Sequence, residues 1–195
     1  AADYLLRNRP DLAVVVADAS NLERSLYLAV QMLEIGTPLV LALNMMDMAV
    51  EKGILIDAAR LGALLGVPVV PTVARRKEGI EELKERIVLS LREKRSSSSF
   101  SLPYGERLNP LFDALESFLT GRPELIPGLS ARSAAVKFIE GDAALLAAAE
   151  SKGLRKEMDA LFAERGRKVE EELGYDLQTA VIERRWGFVS GVTAE

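Results

Sequence analysis

The sequence predicts an α/β fold, a partial parallel sheet with flanking helices, followed by a small all-α domain. Three observations carry this. Short β-branched apolar runs alternate with helix-period segments through the first half of the chain. A tetra-serine run at 96–99, too polar and too short to pack, interrupts it as a linker or loop. Beyond that run only helix-period segments follow. The expected division is therefore 1–95 for the α/β part and 96–195 for the helical part.

The strands are residues 12–17 (LAVVVA), 39–43 (LVLAL) and 67–71 (VPVVP). Each is apolar throughout, so each is expected to be buried on both faces, as in a parallel sheet covered by helices. Between them, 21–35 and 48–65 have apolar residues at helical spacing. Ser20 with Glu23 reads as a capping box for the first helix, Leu26, Val30 and Leu33 as its inward stripe, and Gly36 as its C-terminal stop. A helix over 79–94 places Ile80, Leu83, Ile87 and Leu91 on one face. In the second half, 108–119, 132–138, 143–149, 154–173 and 177–186 read as helices. Trp186, the sole tryptophan, is expected to anchor that core.

Composition narrows the chemistry. The chain has 195 residues, no histidine and a formal charge of −4. The charges balance before Ser96, so the acidic excess lies in the helical half, and no general attraction to nucleic acid is expected. The absence of cysteine excludes disulfides and thiolate metal sites, and the absence of histidine removes the usual general base and nearly all zinc chemistry. No segment is apolar over the roughly 18 to 20 residues that a membrane span needs.

The informative stretch is LVLALNMMDMAV, residues 39–50, where a buried strand runs into Asn44 and Asp47. Ligands of open parallel sheets sit beyond the carboxyl ends of the strands. The turn after the third strand, 72–79 (TVARRKEG), reaches the same edge. A carboxylate accepts two hydrogen bonds side by side, which matches the N1–H and N2–H of guanine and opposes the N1 acceptor of adenine. Taken alone, N-x-x-D is more often a strand end and a helix cap, with Asp47 capping a helix that begins at Met48.

The order of segments raises the specificity. NMMD at a strand end, followed by helix, strand and VARRKEGIEEL, resembles the last two guanine-recognition motifs of a P-loop GTPase G domain. More narrowly, VADASNLERSLYLAVQMLEIGTPLVLALNMMDMA resembles the G domain of the bacterial ferrous iron transport protein B family. The likeness runs on through GILIDAARLGALLGVPVVPTVARRKEGIEEL and, more loosely, to ERRWGFVSG.

That resemblance implies a GTP/GDP-binding regulatory region of a ferrous iron (Fe2+) membrane transporter, at the cytoplasmic face of the bacterial inner membrane. Its partners would be a guanine nucleotide and the membrane pore domain of the same polypeptide, with no nucleic acid. Asp47 would pair with the guanine edge, and Asn44 would support the base and the adjoining loop. Met45 would cover the base where most GTPases carry a lysine stem, and the Ala74 N–H would point at the guanine oxygen. Arg75 would lie over the ring. Val73 stands where other GTPases often have serine, so the loop is expected to lack one bracing hydrogen bond and to hold nucleotide loosely. The loop is also expected to be mobile without nucleotide. The helical half would slow GDP release and pass the nucleotide state to the pore.

The phosphate-binding pattern G-x-x-x-x-G-K-S/T and the D-x-x-G segment, which in the family reaches Mg2+, occur nowhere in the chain. The chain thus looks like a fragment of the cytosolic region. It is expected not to hydrolyse GTP alone, and Mg2+ is expected only in the intact protein. The strand at 12–17 has no blunting proline, glycine or lysine, so it reads as built to be central. Left as an edge, it is expected to drive self-association to a homo-oligomer or aggregate.

Other features read as ordinary. Arg75, Arg76 and Lys77 form a solvated loop, and Glu170, Glu171 and Glu172 point in different directions on a helix and so make a poor Fe2+ site. Two rivals stay open: a nucleotide-free helical interaction module, and a G domain of another GTPase family. Discrimination between guanine and adenine at Asp47 separates the first rival from the main reading.

Overall fold

The computed structural model describes residues 8, 10–93 and 100–194. The serine run and the expected boundary between 95 and 96 lie outside the described residues. These residues form two compact units, one up to Ser101 together with Gly187 onward, the other Leu102–Trp186.

In the first unit the elements are β1 Ala13–Asp18, α1 Leu22–Glu34, β2 Leu39–Asn44, α2 Met46–Glu51, α3 Ala58–Leu65, β3 Val69–Pro71 and α4 Ile80–Arg92. The strands form a parallel sheet in the order β1-β2-β3. β2 is the central strand, and the first five of its six residues, Leu39 to Leu43, are all at most 3% exposed. Its neighbours are set in register, with Asp18 opposite Asn44 and Leu43 opposite Pro71. The carboxyl ends of all three strands are thereby brought to one edge.

α1 follows its sequence pattern inward, with Leu26, Val30 and Leu33 buried. Gly36, at φ 81°, ends it, its N–H donating to the Leu33 carbonyl while the Thr37 N–H donates to that of Met32. The capping box does not form. A short 3-10 turn over Ala19–Asn21 intervenes, capped by Asp18 accepting from the Ser20 N–H at 2.8 Å. Ser20 is therefore inside a turn, where its hydroxyl accepts from Lys52 Nζ, and Glu23 accepts from Thr193 Oγ1 instead. The aspartate two residues earlier reaches the free N–H first.

The segment expected as one helix over 48–65 is two. α2 begins at Met46 and stops at Gly53, whose φ of 74° reverses the chain, and Asp57 starts α3 by accepting from the Arg60 N–H at 2.9 Å. β1 is buried on one face only: Val15 and Ala17 are inside, whereas Val14 and Val16 are exposed. Among the described residues β1 pairs with β2 alone. On α4, Ile80, Leu83 and Ile87 are half-buried, but Leu91 is exposed, so the predicted stripe ends a turn early.

The second unit contains α5 Asn109–Thr120, α6 Ala131–Ile139, α7 Ala143–Ser151, α8 Arg155–Leu173 and the first half of α9 Leu177–Ala194. Its core is Leu108, Leu111, Phe112, Leu115 and Leu119, packed against Ala134, Ala135 and Met158, with Tyr104 stacked on Phe112. Trp186 is 39% exposed and does not anchor this core, whereas its neighbour Arg185 is 3% exposed. Adjacent helical residues point about 100° apart, so placing Arg185 inward turns Trp186 out. The Arg185 guanidinium pairs with Glu140, which also meets Lys137. Glu170 caps α9 by accepting from the Leu177 N–H.

Removing one partner of a buried ion pair strands the other, at a cost of several kcal/mol when burial is complete. Glu140 is partly exposed and keeps Lys137, so Arg185→Ala is expected to lower stability by about 2 kcal/mol. A urea midpoint equal to that of the parent would contradict the inward role of Arg185.

Candidate functional site

The site begins with strand register. Leu43 lies opposite Pro71, and the Thr72 N–H donates to the Leu43 carbonyl at 2.8 Å, so the chains leaving β2 and β3 start side by side. Asn44, the last residue of β2, then spans the gap. Its Oδ1 accepts from the Ala74 N–H at 3.0 Å and from Thr72 Oγ1 at 3.3 Å. Thr72 is buried and Asn44 half-buried, so this brace is partly shielded from water.

Met45 turns the chain at once. It is in the left-handed region, at φ 63° and ψ 34°, uncommon for a residue with a side chain. The helix α2 therefore starts at Met46, two residues earlier than the capping reading of Asp47 requires. Met45 and Met48 are 44% and 36% exposed and leave an apolar rim beside the carboxylate.

Asp47 lies in the first turn of α2, its side chain only 10% exposed. One oxygen, Oδ1, accepts from the Met48 N–H at 3.0 Å. The other, Oδ2, accepts from Arg75 Nε at 2.9 Å and from Arg75 Nη2, with Arg76 Nη2 3.7 Å away. Burial pushes the Asp47 carboxyl up, but the hydrogen bonds from Arg75 and Met48 and the two nearby cations outweigh it and hold it below the usual carboxylate range. The ion pair is thus complete at neutral and mildly acidic pH, and it is lost only as pH falls through that lowered value.

The loop after β3 is held at both ends. Val73 is buried and pairs with Glu78, each N–H donating to the other's carbonyl. Lys77, at φ 60°, and Gly79, at φ 75°, turn the chain into α4. A Cβ on Gly79 would lie 2.1 Å from the Pro71 carbonyl oxygen, so glycine is required on steric as well as conformational grounds.

The structure thus brings together Asn44, Met45, Asp47, Val73, Ala74 and Arg75 at one edge. Arg75 sits on the Asp47 carboxylate, and the Ala74 N–H is engaged by Asn44. The sequence reading missed Thr72, which adds a second bond to the Asn44 brace, and Arg76, which adds charge beside Asp47. Opposite charges on two segments reaching one sheet edge were the available signal for Arg76; a threonine after a strand offers none. A roomier cleft of about 630 Å³ lies elsewhere in this unit, lined by Asn21, Leu55, Asp57, Arg60, Leu64 and Thr193, and holds none of these residues. At the Asn44–Asp47 edge the Arg75 guanidinium lies on the carboxylate.

The architecture is that of the P-loop GTPases. Residues 1–87 match the family described as ferrous iron transport protein B, and residues 104–195 match the FeoB cytosolic helical domain. A crystal structure of a mutant NFeoB from S. thermophilus, bound to GDP, superposes with a TM-score of 0.80 at 32% identity, covering 100% of this chain and 72% of that one. The Fe(2+) transport protein A/Fe(2+) transporter FeoB fusion protein of Porphyromonas gingivalis is 37% identical over 193 residues, 96% of this chain and 22% of its own length. The Fe(2+) transporter FeoB of Escherichia coli K12 is 39% identical over 142 residues, 73% of this chain and 18% of that protein. The chain belongs to the ferrous iron transport protein B family and spans about a fifth of the length of these two curated relatives. Among the described residues no helix is long and apolar enough to cross a membrane.

A hydrogen bond such as that from Ala74 to Asn44 is worth about 1 kcal/mol. Asn44→Ala is therefore expected to speed exchange of the Ala74 amide about fivefold, leaving Leu41 and Leu43 amides unchanged. Unaltered exchange at Ala74 would mean that the Val73–Glu78 pair alone holds the loop.

Proposed function

We propose that this chain forms the guanine-recognising part of a G domain together with its helical regulatory domain, in the cytosolic region of a ferrous iron transporter. The observation that carries the reading is the Asn44 brace, which places the Asp47 carboxylate and the Ala74 amide on one edge. An ionised Asp47 accepts from guanine N1–H and N2–H and repels the N1 lone pair of adenine. Met45, exposed and polarizable, lies where its thioether stem can cover the base. A base oxygen would share the Ala74 N–H with Asn44 or take it over. Val73 has no hydroxyl to brace the bound base, which favours loose retention.

The remaining assignments follow from family membership. The helical part slows GDP release and conveys the nucleotide state to the membrane pore of the same polypeptide, at the cytoplasmic face. Mg2+ accompanies the nucleotide phosphates, and this chain contributes no phosphate-loop pattern to hold it. The Arg75–Asp47 pair lends some support to the rival of a nucleotide-free scaffold, because it satisfies the carboxylate without a ligand.

One substitution separates the two. In the full-length polypeptide carrying a phosphate-binding loop, Asp47→Asn is expected to exchange a preference for GDP for one for xanthosine diphosphate. The amide presents a donor and an acceptor where the carboxylate presents two acceptors. GDP binding that survives this change undiminished would remove Asp47 from the base site.

A further inference from the structure

Resting on the guanine-recognition reading above, we infer that Arg75 is a built-in competitor for the base. Its guanidinium occupies the Asp47 carboxylate in the nucleotide-free chain and must leave before guanine can pair there. The two groups are chemically alike. Guanine presents N1–H and N2–H side by side on a planar edge, and the guanidinium presents Nε–H and Nη2–H in the same manner. Asp47 Oδ1 already accepts from Met48, and Oδ2 accepts both Arg75 donors. A carboxylate has about four lone-pair sites, so three are engaged within the protein. A base edge needs one site on each oxygen. Those on Oδ2 are filled, so base and Arg75 exclude each other.

The arrangement is built to exchange. The Arg75 side chain is 61% exposed and that of Asp47 10%, so the anion is fixed on α2 and the cation is the moving partner. Arg76, 3.7 Å from the same oxygen, keeps positive charge beside the carboxylate when Arg75 swings out. An ion pair with one exposed partner shifts an equilibrium by no more than about fivefold. Occupancy by Arg75 therefore lowers apparent affinity by the fraction of chains in which the carboxylate is open. Arg75 also refills the site on release, which opposes rebinding. A stacking role for Arg75 over the ring predicts the opposite sign, because its removal would then weaken binding.

The test titrates the polypeptide carrying a phosphate-binding loop and its Arg75→Ala and Arg75→Gln variants with GDP and with ADP, and follows the arginine Nε–H signals by NMR. Both variants lack the guanidinium fork and alter an exposed side chain, so folding is not at stake. Arg75→Ala and Arg75→Gln are expected to bind GDP about two- to fivefold more tightly than the parent. In the parent, the Arg75 Nε–H is expected to be protected in the free chain and to lose protection as GDP saturates. GDP binding that is unchanged or weaker in the variants, or an Arg75 Nε–H that ignores GDP, overturns the competitor role alone, provided that the parent prefers GDP to ADP. Failure of every form to bind GDP overturns this inference and the guanine reading together.

Discussion

One side-chain oxygen joins the two halves of the site. Asn44 Oδ1 accepts from Ala74 and Thr72 and so ties the end of β2 to the loop that leaves β3. Without it, the Arg75–Asp47 pair and the Met46 N–H on the Thr72 carbonyl would still join the two segments, but Ala74 would lose its tether to the strand end. The register of β2 with β3 brings the chains within reach, and the left-handed turn at Met45 then puts Asp47 in the first turn of a helix rather than beyond it. Backbone and side chain thus act in sequence, with the strand ends setting position and Asn44 setting distance.

What could be read in the sequence divides along the range of the forces involved. β2 was legible because a strand buried on both faces must be apolar throughout, and the α1 stripe because helical period is a local property. The break at Gly53 was missed because apolar spacing continues across it; the positive φ of the glycine and the new cap at Asp57 divide the helix. The Ser20–Glu23 box failed against a competitor two residues earlier, Asp18, which the pattern did not weigh. Trp186 lost its expected inward place because the Glu140 carboxylate, 45 residues away, pairs with the inward-facing guanidinium of Arg185. That pairing has no local signature.

The candidate site shows the same division. Asn44 and Asp47 stand out as an N-x-x-D at a strand end, and the resemblance to a family added Met45, Val73, Ala74 and Arg75. The actual bonding of Arg75 did not follow from either source. It depends on two segments 28 residues apart meeting at one sheet edge. The chemistry of the edge is plain in its donors and acceptors.

Amide NMR of the chain during parallel titrations with GDP and ADP reads this edge residue by residue. If Asn44 holds the loop so that Asp47 and Ala74 meet a guanine base, GDP moves the signals of Met45, Asp47, Met48 and Ala74, and ADP at equal concentration leaves them in place. Equal responses to the two nucleotides, or a GDP response confined to residues away from this edge, would contradict it.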